Sequence, residues 1–145
     1  MLGNIPILSL LIWLPLFGGV VVLATPIKIN YKILQILSVF FVIISLLICC
    51  FLIKNFNLSL WEMQYVERYE WLPSIGIYYF LGIDGFSLPL IVLTCFISLV
   101  VFVAGHSAIK HYVHYYYASF LIMQGLITGM FCSLDSILFY IFFEA

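Results

Sequence analysis

Ile33-Leu34-Gln35-Ile36-Leu37-Ser38-Val39-Phe40-Phe41-Val42-Ile43-Ile44-Ser45-Leu46-Leu47-Ile48-Cys49-Cys50-Phe51-Leu52-Ile53 contains no charged side chain and lies between Lys32 and Lys54. A helix needs roughly 20 such residues to cross the hydrocarbon core of a bilayer. The rest of the chain matches this stretch. Of its 145 residues, 66% are hydrophobic and only 8% charged, more apolar surface than a soluble domain of this size can bury. The chain therefore reads as an all-α integral membrane protein. A net charge of -1 offers no electrostatic attraction for nucleic acid.

Outward from that run, further spans are expected at Ile5–Ala24, Ser87–Ala104 and Tyr115–Phe131, making four complete transmembrane helices. Pro15 and Gly18-Gly19 interrupt the first, which membrane helices tolerate when neighbours satisfy the freed backbone groups. A fifth helix starts near Ser136 and reaches Ala145, about half the length of a crossing. The expectation is a single membrane domain, the opening part of a longer protein or a truncated gene product. The first span follows no basic segment and exceeds a signal-peptide core, so it reads as a retained span. Lys28, Lys32 and Lys110 fall in short connectors, which predicts those connectors on the cytoplasmic side. The long loop 54–85 is then external. It carries Glu62, Glu67, Glu70 and Asp84.

Within that loop, Ile75, Ile77, Tyr79 and Leu81 alternate as one face of a strand. Leu72-Pro73-Ser74 is able to turn it back on 66–71 as a β-hairpin. Trp61, Tyr65, Tyr69 and Leu72 equally follow the spacing of an interfacial helix over 61–72.

Glu144 is the residue of greatest chemical interest. If Asp135 caps the fifth helix, Glu144 lies roughly 13 Å along it, close to the bilayer midplane. A charge there costs at least about 2.5 kcal/mol on insertion scales, and such residues mark ion or proton pathways. The reading is one buried carboxylate with a proton-carrying role, with Tyr140 one turn back on the same face. Asp84 and Asp135 read as helix caps, with proton exit as a second role. His106, His111 and His114 gather in one connector and read as solvated. A haem carrier would place histidines inside facing helices. Cys49, Cys50, Cys95 and Cys132 show no ligand spacing and read as small apolar filler. No metal-binding or catalytic motif is found in the sequence.

Two motifs carry a family resemblance. Trp71-Leu72-Pro73-Ser74-Ile75-Gly76-Ile77-Tyr78, followed by Leu81-Gly82-Ile83-Asp84-Gly85-Phe86-Ser87-Leu88, resembles the approach to the third helix in subunit M of bacterial NADH:quinone oxidoreductase. This subunit type is chain 4 in mitochondrial complex I. Leu134 to Glu144 resembles the start of that family's fifth helix. The second half of the first motif is shared with subunits L and N and with multi-component cation/proton antiporters, the alternative reading. The resemblance implies an antiporter-like proton-translocating subunit, with Glu144 pairing with a lysine on a later helix. It implies L-like and N-like subunits and the lipid bilayer as partners. NADH, FMN, iron–sulfur clusters and quinone belong to other parts of that complex, so no cofactor is expected on this chain. The implied location is the bacterial inner membrane, or the mitochondrial inner membrane.

Overall fold

The computed structural model describes residues 6–26, 30–109 and 111–145, apart from the side chains of 106–108. Met1 to Ile5, Lys28 and Lys110, which entered the span and orientation expectations, lie outside the described residues. The fold is mostly helical: α1 Ile7–Ala24, α2 Tyr31–Asn55, α3 Ser87–Ala108, α4 Val113–Cys132 and α5 Ser136–Glu144. A two-stranded antiparallel sheet, β1 Gln64–Leu72 and β2 Ile77–Ile83, stands between α2 and α3. By length and composition, α1, α2 and the Ser87–Gly105 part of α3 are able to cross a membrane.

Helix α2 runs past the apolar core read from sequence because its start finds a partner. Asn30 accepts a hydrogen bond from Lys32 N at 3.2 Å, so α2 begins at Tyr31 instead of Ile33. Inside the bundle, hydroxyl groups bond back to the preceding turn: Ser38 to Leu34 O, Ser45 to Phe41 O, Ser98 to Thr94 O and Thr128 to Gln124 O. Each of these four hydroxyl protons is thereby satisfied in an apolar setting, where an unmade bond is costly.

The α1–α4 contact is built on small residues. A Cβ placed on Gly19 of α1 would lie 2.6 Å from Ile122 and 3.0 Å from Ala118 O. One placed on Gly125 of α4 would lie 2.6 Å from Leu16 and 2.9 Å from Ile12 O. Each glycine thus receives the partner helix at backbone distance, the packing mode that membrane helices favour. The Gly18-Gly19 pair, an interruption in the sequence pattern, is half of this seam.

Buried apolar side chains form two clusters. One, at the sheet end, joins Leu8, Leu11, Leu52, Leu81, Ile91 and Leu138. The other, at the opposite end, joins Val22, Leu34, Val42, Phe102, Tyr117 and Leu121, with the Phe102 and Tyr117 rings 5.2 Å apart. The outer faces carry Phe17, Ile36, Leu47 and Val103, all more than half exposed. Such a continuous apolar exterior suits lipid as the surrounding medium.

The loop between α2 and α3 is extended, not helical. The register pairs Glu67 with Leu81, Arg68 with Phe80 and Tyr69 with Tyr79, and it slips between Gln64 and Glu67, where Tyr65 has φ 55°. Pro73 starts a 3-10 turn and Gly76 takes φ 72°, so the reversal occupies 73–76. Ile75, expected on one strand face with Ile77, Tyr79 and Leu81, is therefore in the turn and exposed. Ile77 and Leu81 do face inward. β2 rests on the α4–α5 junction, where Leu134 N donates to Phe80 O at 2.9 Å and Leu134 covers Gly82.

Candidate functional site

Asp135 opens α5. Its carboxylate accepts from Ile137 N at 2.8 Å and Leu138 N at 3.4 Å, satisfying two amides that have no partner within the helix. Leu138 and Phe142, one turn apart, turn into the bundle, and Phe142 packs on Gly129 of α4. This choice of face sets the direction of everything else on the helix. Ile137, Tyr140, Ile141 and Glu144 point the other way and are exposed. Between α4 and α5 is an open groove of about 360 Å³ lined by Ile122, Leu126, Phe142 and Phe143, among others.

Glu144 is thus exposed in this chain, on the side of α5 turned away from α1–α4. Hydropathy and depth place a residue along the membrane normal, but they do not say which way its side chain faces. The carboxylate that is buried is Glu67, 9% exposed on β1. Its Oε1 accepts from Leu8 N at 2.8 Å, its Oε2 accepts from Ser9 N at 3.2 Å, and Ser9 Oγ donates to Oε2. Helix α1 begins after Pro6, without a side-chain cap of its own. Glu67 supplies that cap from the sheet, with its negative charge at the positive end of the helix dipole. Trp13 Nε1 donates to Tyr79 Oη at 3.2 Å, and that hydroxyl lies at hydrogen-bond distance, 3.2 Å, from Ser9 Oγ, extending the cluster to β2. Burial pushes the Tyr79 hydroxyl above the ordinary tyrosine range.

Sequence reasoning missed Glu67 because its partners are 58 and 59 positions away. The one local signal was a helix start with proline in place of a capping side chain.

Asp84 lies before α3, where its carboxylate accepts from Ser87 N at 2.7 Å and Phe86 N at 3.2 Å, while Ser87 Oγ accepts from Asp84 N at 3.0 Å. Ser87, through its hydroxyl and then its amide, holds the Asp84 carboxyl below the usual carboxylate range. Neither Asp84 nor Asp135 meets Glu144 through any hydrogen bond among the described residues. His111 is exposed. His114, expected to be solvated, is half-buried in the first turn of α4, and its Nε2 is buried without a hydrogen-bond partner. The side chain of His106 lies outside the described residues. Among the described residues, no group of three or more His, Cys, Asp or Glu is placed to hold a metal ion.

The family model described as "NADH-ubiquinone oxidoreductase chain 4, amino terminus" matches residues 8–133. The chain belongs to this family. It is 33% identical over 138 residues to NADH-ubiquinone oxidoreductase chain 4 of Marchantia polymorpha, covering 95% of this chain and 28% of that protein. It is 35% identical over 150 residues to NADH-quinone oxidoreductase subunit M of Rickettsia prowazekii, covering 98% and 29%. The chain thus spans under a third of the length of these relatives. Its fold is similar to a chain in the structure titled respiratory complex I from Thermus thermophilus with bound NADH. The TM-score is 0.77 at 22% identity, over 94% of this chain and 26% of that one. For the chain 4 family, the matched segment includes Glu67 and Asp84, whereas Glu144 lies beyond residue 133.

Proposed function

We propose that this chain supplies the amino-terminal helices of an antiporter-like, proton-translocating membrane subunit of NADH:quinone oxidoreductase. In this reading α4 is a fourth span, α5 is the opening of a fifth, and the sheet lies on the external side. The membrane is the bacterial inner membrane or its mitochondrial equivalent, and the neighbours are other membrane-arm subunits, L-like and N-like. Flavin, iron–sulfur clusters, NADH and quinone act in other parts of the complex. The family assignment supports this reading, and one observation carries the site: Glu144 projects from the face of α5 that α1–α4 and the sheet leave uncovered.

A carboxylate on that face is free to meet a cation from another segment. A lysine that approaches or withdraws would switch Glu144 between releasing and holding a proton. The role of the α1–α4 bundle is then to hold α5 in place. It does so through the Asp135 cap and the Phe142–Gly129 contact, without touching the proton-carrying group. Asp84 and Asp135 act in this scheme as caps, and a part in proton exit is a secondary role.

The test is Glu144→Gln in the complete subunit, within the assembled enzyme. Proton pumping is expected to be largely lost, while NADH oxidation by a water-soluble acceptor stays normal. Unchanged proton translocation per electron would remove Glu144 from the mechanism.

A further inference from the structure

Three helices meet where two sulfur atoms face each other. Cys49 Sγ of α2 and Cys95 Sγ of α3 are 3.4 Å apart, and Gln124 Nε2 of α4 donates to Cys95 Sγ at 3.6 Å. All three side chains are buried, at 1% exposure or less. At about 1.5 Å per residue, Cys49 and Cys95 lie on the order of 9–12 Å from the sheet-side ends of their helices, at matching depth. The three helices shield both sulfurs from water-soluble oxidants. A disulfide bond is about 2.05 Å long, so the two sulfurs, already in contact, have a short further approach to make. The Gln124 amide gives Cys95 a donor that steadies its sulfur as the S–H proton leaves.

We propose that Cys49 and Cys95 form an oxidation site within the membrane, closed to a disulfide by a lipid-soluble quinone. Both S–H bonds break and one S–S bond forms. The quinone accepts the two electrons and two protons and departs as hydroquinone. The product ties α2 to α3 between residues 46 positions apart, across helices already joined outside the membrane by β1 and β2. The proposal is independent of the role assigned to Glu144, since neither sulfur belongs to α5.

The test uses native membranes that carry the chain. They are treated with a short-chain benzoquinone substituted at every ring position, which has no free carbon for thiol addition. Free thiols are then blocked, and trypsin cuts the 54–85 segment at Lys54 and Arg68. Without reductant the pieces bearing Cys49 and Cys95 should migrate together, and reductant should separate them. The linkage should vanish in Cys49→Ser and in Cys95→Ser, and persist in Cys50→Ser and Cys132→Ser. Absence of any reductant-sensitive linkage, or its survival in Cys49→Ser, overturns the proposal.

Discussion

Glu67 shows how one side chain joins two parts of a fold. Its carboxylate satisfies the Leu8 and Ser9 amides, and the Leu8 side of that contact is fully buried. Glu67→Ala would leave a buried N–H without a partner, at a cost of about 1–3 kcal/mol. Glu67→Gln keeps one acceptor for the Leu8 amide, but it puts an NH2 donor where Ser9 is bonded. It also loses the charge at the helix end, the charge alone being worth about 1 kcal/mol. Unfolding in detergent, followed by circular dichroism, should rank the wild type above Gln and Gln above Ala. An Ala variant as stable as the wild type would remove the cap from this account. Asp84 gives a pH signature. Its carboxyl is held low in the folded chain, so its contribution is full above the unfolded value of about 4 and is lost as pH falls through the folded value. Acid titration should therefore narrow the gap between the wild type and Asp84→Asn below about pH 4. A gap that stays constant with pH would contradict this.

Elements pack here by close approach. Because Gly19 and Gly125 each admit the other helix at backbone distance, Gly125→Val must push α1 and α4 apart or displace Leu16. Overpacking of this kind costs about 1–3 kcal/mol. The change should lower the unfolding temperature in detergent, and Gly85→Ala, at an open position, should not. Helix existence and type were legible because runs such as 33–53 have one physical solution in lipid, with every backbone group bonded internally. The sheet was less so, because aromatic residues at 61–72 satisfy both the helical and the extended period. What decides it is β2, which places Leu81 and Ile83 against the bundle and leaves Glu67, across from Leu81, able to reach α1.

At the scale of the whole molecule, the outward faces of α1–α3 form an apolar wall. Nitroxide labels at Phe17, Ile36 and Val103 should collide with dissolved oxygen far more often than with a water-soluble nickel complex, once the chain is in bilayers. Strong nickel broadening at Ile36 would contradict a lipid-facing α2. The chain covers under a third of its relatives, and the open face of α5 belongs to this scale too. Glu144 lies on that face.

Hydropathy and capping chemistry alone determined that this is a helical membrane chain, about where its helices lie, and that Glu144 follows Asp135 by nine positions. These are one-dimensional properties: how long an apolar run is, and which side chain precedes it. The tertiary structure decided direction and partnership. Leu138 and Phe142 turned α5 so that Glu144 faces away from α1–α4, the sheet carried Glu67 to a helix start nearly sixty residues earlier, and three helices brought Cys49, Cys95 and Gln124 together. A sequence lists which groups exist, whereas packing determines which of them meet, because contact energies depend on distances in space that chain separation does not fix.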